Sequence, residues 1–233
     1  MQTMRQRTLN EVVDEYSKLR TSFNLRKCWT DLSEKELWEE LCVCILSSNV
    51  PYDLALSAFY HLRENELLDR ERIIADSNSP RKISFELSRP IYRPKRKDGT
   101  FRKYRFPNVR ASDIVKAAFT LYYETDGLSE LLKNSSSEKE ARGFLVDNVS
   151  GVGLKEASHF LRNIGYSESL AIVDTHVVAF LMEIGELSDK VTTVTPAVYI
   201  KLEEILLRLC NSLGLNISVF DMAIWKYMRG KSL

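Results

Sequence analysis

The sequence predicts an all-α protein on three observations. Apolar residues recur at helical spacing along most of the chain, capping residues bracket the clearest of these runs, and one segment alone breaks the pattern. At 233 residues there is material for one large domain or two small packed lobes.

In chain order, a first helix is expected over roughly 8–20. In "LSEKELWEELCVCIL", Ser33 followed by Glu36 is a capping-box start, and Leu37, Leu41, Cys44 and Ile45 share one face. A helix over 52–64 follows. Residues 83–106 differ: "RPIYRPKRKDGTFRKYRF" flanks Asp98-Gly99, the dipeptide favoured in a two-residue hairpin turn, with aromatic and basic residues. That segment predicts a short β-hairpin or basic loop inserted into a helical body. Helices are expected again over 110–124, 137–148, 154–163 and 174–184. Thr195-Pro196 supplies a cap and first-turn proline for "KLEEILLRLCNSLG", where Leu202, Ile205, Leu206, Leu209 and Leu213 precede a closing Gly214. A last helix covers 217–229.

Apolar residues make up 44% of the chain and charged ones 28%, the composition of an ordinary soluble globule. No run of eighteen apolar residues exists, which excludes a membrane helix, and the start does not read as a secretion signal. Cys28, Cys42, Cys44 and Cys210 have the spacing of neither a zinc module nor an iron–sulfur cluster. Thiols in a reducing, intracellular compartment are expected, either cytoplasm with its nucleoid or nucleus. Net charge is only +1, yet residues 81–110 hold eleven Lys or Arg against two acidic residues, leaving −8 for the rest. This is the footprint of a nucleic-acid partner on one patch.

Between two expected helices lies only "VSGVG", residues 149–153. Gly151 and Gly153 permit backbone angles that a side chain forbids and a close approach to another surface. The helix that follows opens with unpaired N–H groups that attract phosphate. Such a bend can grip a nucleic-acid backbone without reading sequence, or serve as a plain helix connection.

With "KEASHFLRNIG" behind it and "AIVDTHV" further on, the bend resembles the helix-hairpin-helix of the endonuclease III-like superfamily of DNA repair glycosylases, most closely the type-2 8-oxoguanine DNA glycosylases. The resemblance covers nearly the whole chain, with Ser150 in place of the family's proline and the basic insertion as the largest departure. It implies two helical lobes, one from 1–35 and 180–233, the other from 36–179, with the active site between them. It also implies that Lys155, two residues past the second glycine, is the nucleophile, and that Asp174, nineteen residues on, is its carboxylate partner.

Breaking an N-glycosidic bond puts positive character on the sugar, which a carboxylate stabilises. A neutral lysine can attack C1′ and pass through a Schiff base, and partial burial and a helix N-terminus both disfavour the ammonium form. Further roles follow from the resemblance, each beside a plainer one. His176 contacts phosphate or is a first-turn polar residue. Asn49 fills the space of the flipped base or ends a helix, and Arg110 contacts the estranged base or is a solvated arginine. Asp221 and Trp225, four apart on one helical face, read and stack the base or merely pack. His159 lines the same pocket or the surface. Asp174 is in addition a natural N-cap. A monovalent cation at the backbone carbonyls of Asp147, Val149 and Val152 is a family feature; no other metal or cofactor is expected. The family's terminal lysine has a counterpart in Lys231, here followed by Ser232 and Leu233.

The expected partner is duplex DNA with an oxidised base, with no membrane and no protein partner implied. Arg93, Lys95, Arg96 and Lys97 of the insertion are assigned to phosphate contact, a solvated loop being the alternative. Two other functions remain: a glycosylase for oxidised pyrimidines, and a non-catalytic DNA-binding module in which Lys155 only touches phosphate.

Overall fold

The computed structural model describes residues 4–23, 28–187 and 191–231, which form twelve α-helices and no strand. The chain divides into two compact units, Met1–Trp29 with Leu161–Leu233, and Thr30–Phe160. The division points differ from the 35/36 and 179/180 boundaries expected above.

The Thr30–Phe160 unit holds α2 (Glu34–Ser47), α3 (Tyr52–Glu64), α4 (Arg70–Ala75), α5 (Ser79–Leu87), α6 (Pro107–Phe119), α7 (Leu128–Asn134), α8 (Glu138–Asn148) and the larger part of α9 (Leu154–Asn163). The capping box at the start of α2 forms as the sequence predicts, Ser33 and Glu36 bonding each other's backbone. Leu37, Leu41, Cys44 and Ile45 are fully buried, as are Ile83, Leu87 and Ile114 of the same unit's core. The indole of Trp38 donates to the Leu68 carbonyl at 2.7 Å, so this large ring is buried with its polar edge satisfied. α6 runs on into a π-helical turn at Thr120–Glu124.

The other unit holds α1 (Met4–Phe23), α10 (Thr175–Glu183), α11 (Pro196–Leu213), α12 (Ile217–Lys231) and the last residues of α9. Its core includes Phe180 edge-on to Phe220 at 6.0 Å. Ends of the chain far apart in sequence meet here: Tyr227 donates to Glu11 at 2.6 Å, and Tyr16 accepts from the Asn216 N–H at 3.1 Å. Thr195 caps α11 and Gly214 ends it in the left-handed region, both as expected. Cys28, Cys42, Cys44 and Cys210 are free thiols; burial pushes Cys210 up to about 12 and Cys42 higher than its ordinary value, which leaves both inert. No single helix among the described residues is long and apolar enough to cross a membrane.

The segment expected as a hairpin or loop over 83–106 is helical as far as Leu87, where α5 ends, and a loop beyond it. One antiparallel bridge, Tyr92 with Arg102, is all the pairing the loop has. Its turn is one residue wider than the two-residue turn predicted. Arg96 N–H donates to Thr100 C=O at 2.8 Å around three central residues, and Gly99 takes the left-handed position at φ +82°. Two buried tyrosines anchor the loop: Tyr92 donates to the Glu86 carbonyl (2.6 Å) and Tyr104 to the Leu46 carbonyl (2.5 Å). Short α4, α5 and α7, of six, nine and seven residues, carry too few apolar repeats to display a period and were not expected.

The Glu34 carboxylate accepts the first N–H groups of α7, Leu128 at 2.7 Å and Ser129 at 2.9 Å, together with the Ser129 hydroxyl. Burial alone would raise this carboxyl, but these bonds hold it below its ordinary value of 4.5. Its contribution is therefore complete above that value and is lost as pH falls through the lower folded value. Replacing Glu34 by alanine is expected to cost about 1–2 kcal/mol at neutral pH, read by chemical denaturation, and the gap from wild type narrows as the pH is taken below 4.5.

Candidate active site

The bend between α8 and α9 is held from both ends. Val149 N–H continues the α8 ladder to Leu145 (3.0 Å), Val152 N–H closes the bend on the Val149 carbonyl (3.2 Å), and the Gly153 carbonyl accepts the first α9 bond from Ala157 (2.9 Å). At Gly151 φ is +79°, and a Cβ there would stand 2.8 Å from the Asp113 side chain. Both features disfavour any residue with a side chain.

Asp113 joins the bend to α6 and α2. One of its oxygens accepts from the Ser150 hydroxyl at 2.9 Å and the other from Arg110 at 2.7 Å, and Arg110 also donates to the Ser48 carbonyl at 3.1 Å. Arg110 is consequently buried, tied to the backbone beside Asn49, and is not the solvated arginine weighed above. Asn49 itself is exposed at the tip after α2 in the left-handed region (φ +57°), a conformation asparagine tolerates better than most residues. Ser150, standing where the resembled family has proline, is the donor that completes this tie.

Lys155 is the second residue of α9, within the turn whose N–H groups lack helical partners. Its side chain is 31% exposed, and its ammonium lies 3.4 Å from the Glu156 carboxylate, which is 11% exposed. One turn later the half-buried His159 packs near Tyr52, ring centroids 6.3 Å apart. A cavity of about 560 Å³ flanks the bend, lined by Val115, Lys116, Phe119 and the stretch that includes Asp147, Val149 and Val152. Arg93, Lys95, Arg96 and Lys97 are all exposed, and none of the four is in an ion pair among the described residues. The Lys95 ammonium rests over the Phe101 ring at 4.4 Å.

In the other unit, Asp174 is the N-cap of α10, accepting from His176 N–H (2.8 Å) and Val177 N–H (2.9 Å). Both bonds fall on Oδ1, so the carboxylate is oriented while Oδ2 has no hydrogen-bond partner among the described residues. The His176 ring meets Trp225 edge-on at 6.5 Å, and the Arg229 guanidinium covers one face of that indole at 4.9 Å. Asp221 shares a helix with Trp225, but its carboxylate is 1% exposed, paired with Arg162 and accepting the Ile172 N–H at 2.7 Å. Both oxygens are engaged, so it presents no free acceptor. Burial pushes this carboxyl up to about 6 against the pull of Arg162. Lys231 pairs with Glu183 at 2.6 Å; Ser232 and Leu233 lie outside the described residues.

The structure thus gathers Gly151 and Arg110 with the loop of Asn49, and His176 with Trp225. Sequence reasoning missed Asp113 and Glu156; the three-residue spacing of Arg110 and Asp113 on one helix was a legible signal for the first.

Residues 95–215 match the family model described as 8-oxoguanine DNA glycosylase. A protein of Aquifex aeolicus named 8-oxoguanine DNA glycosylase/AP lyase is 33% identical, over 98% of this chain and 93% of its own. One of the same name from Saccharolobus solfataricus is 32% identical over 84% of each. Among solved structures, the Methanocaldococcus jannaschii 8-oxoguanine glycosylase/lyase in complex with a 15mer DNA containing 8-oxoguanine aligns with a TM-score of 0.72. It is 26% identical and covers 95% of this chain and 98% of that one.

Gly151→Ala is expected to cost about 1–3 kcal/mol, since it places a side chain at positive φ and against Asp113. Thermal unfolding of the variant checks this; an unshifted midpoint would mean the bend has slack that the geometry denies.

Proposed function

The chain belongs to the 8-oxoguanine DNA glycosylase family, and we propose that it excises 8-oxoguanine from duplex DNA through a Schiff base on Lys155 and then breaks the strand. The observation that carries the reading is Lys155 in the first turn of α9, just beyond a bend whose Gly151 is held at positive φ against Asp113. The amine attacks C1′, the N-glycosidic bond breaks, and the base leaves with the bonding electrons and is protonated. The sugar ring opens to the imine. Loss of a proton from C2′ then expels the 3′ phosphate by β-elimination, and hydrolysis of the imine frees the lysine.

Asp174 supplies the carboxylate for the positive character that develops on the sugar as the base departs. Its capping bonds support that role, because they hold one oxygen and leave the other available. The amide groups of the bend and of the α9 start, with His176, take backbone phosphates, which carry no sequence information. A base inside a duplex must be everted before attack; exposed Asn49 fills the gap it leaves, held in place by Arg110 from below. Trp225 is the aromatic side chain assigned to the flipped purine. The backbone carbonyls of Asp147, Val149 and Val152 would hold the monovalent cation that the family resemblance implies, with the Val149 carbonyl also accepting the Val152 N–H. The compartment that goes with this reading is the one that holds the genome.

Single-turnover assays on an 8-oxoguanine duplex test the assignment. Lys155→Gln is expected to abolish the coupled strand break, and Asp174→Asn to slow base release by about a hundredfold or more. Wild-type activity in Lys155→Gln contradicts it, and cleavage confined to oxidised pyrimidines moves the substrate. Neutralising Arg93, Lys95, Arg96 and Lys97 together is expected to weaken duplex binding with lesion preference unchanged, and to lower the salt slope by about 0.9 for each phosphate left unneutralised. An unaltered salt dependence contradicts a DNA-facing insertion.

A further inference from the structure

Residues 170–173 lie outside any helix and lead directly into Asp174. They are buried, so their backbone groups need partners that water cannot supply, and no strand lies alongside among the described residues. Side chains supply them. Leu170 N–H donates to the Ser167 hydroxyl (3.2 Å), Ala171 N–H to Glu203 (3.1 Å), Ile172 N–H to Asp221 (2.7 Å) and Val173 N–H to the Tyr199 hydroxyl (3.2 Å). The same hydroxyl donates to the Ala171 carbonyl at 2.8 Å.

Two of these acceptors are carboxylates with almost no exposure, 4% for Glu203 and 2% for Asp221. Burying such charge is costly, and a serine or a water satisfies an amide at lower cost. What a carboxylate acceptor adds is stiffness, most clearly in the 2.7 Å bond from Ile172 N–H to Asp221, which is paired with Arg162. Tyr199 and Glu203 lie four apart on one face of α11, and Asp221 comes from α12, so two helices grip one short stretch. The stretch ends at the carboxylate whose orientation matters most.

We infer that Tyr199, Glu203 and Asp221 are positioning residues, which hold the backbone of 170–173 so that the Asp174 carboxylate meets the sugar where charge develops. This rests on the role given to Asp174 above. They touch no substrate and act through that residue.

The test separates base release from the later lyase step. At a preformed abasic site no glycosidic bond remains to be broken, so Asp174 has little to do, and Lys155 condenses with the free aldehyde. Glu203→Ala and Tyr199→Phe are measured on an 8-oxoguanine duplex and on an abasic duplex, with Asp174→Asn alongside. Base release is expected to slow by roughly ten- to a hundredfold in both variants, while nicking of abasic DNA and duplex affinity change less than about threefold. Glu203→Gln, whose amide oxygen still accepts from Ala171 but carries no charge, should recover part of the rate. Tyr199→Phe removes one hydroxyl and carries the test if Glu203→Ala does not fold. Equal losses in both steps, tracking a lower melting temperature, would reduce these residues to plain structural supports and overturn the inference. Normal base release in Glu203→Ala and Tyr199→Phe beside a slow Asp174→Asn overturns it alone. Normal release in Asp174→Asn removes the reading beneath it.

Discussion

A side chain at residue 151 would meet Asp113 at 2.8 Å and would have to adopt a φ of +79°. That crowding is the constraint on which the bend of the Thr30–Phe160 unit depends. It sets where α8 stops and α9 starts, hence where a lysine at the second helical position projects. The crowding residue is itself held: Asp113 takes Ser150 on one oxygen and Arg110 on the other, and Arg110 continues to the Ser48 carbonyl. One ionic cluster therefore fixes both the bend that leads into Lys155 and the tip that carries Asn49. Arg110 and Asp113 are almost wholly enclosed and paired, the condition under which such charges are tolerated.

The other unit solves the same problem by different means. Asp174 is an N-cap with both bonds on one oxygen, which orients the carboxylate and leaves its other oxygen without a hydrogen-bond partner among the described residues. Behind it, a connector with no neighbouring strand among the described residues borrows its hydrogen-bond partners from α11 and α12. In both units a non-helical segment that leads into a helix, the bend before α9 and the connector before α10, is held by buried charged side chains.

Long helices with caps, such as α2 and α11, were legible because period and cap agree over several turns. Helices α4, α5 and α7 were not, since one turn or two carries no period, and α5 lies inside a basic run that suggested a loop. Among site residues, Gly151 and the capping role of Asp174 could be read because a tight turn and a helix start favour those residue types, whereas the roles given to Lys155 and Asp174 in the chemistry came from the family resemblance. Asp221 shows the limit of such reading. Its spacing from Trp225 sets a shared helix face, but whether a carboxylate is open or enclosed depends on Arg162 and Ile172, far away in the chain. Arg110 failed to read as buried for a related reason: its bond to the Ser48 carbonyl is tertiary, and Asp113 is itself enclosed by the bend.

The central claim is that the amine on this bend forms a bond to the sugar. Reducing the reaction on an 8-oxoguanine duplex with borohydride, digesting the adduct and locating the modified residue by mass spectrometry tests it directly. The account predicts the deoxyribose remnant on Lys155. A remnant on any other amine, or no adduct while base is released, would contradict it.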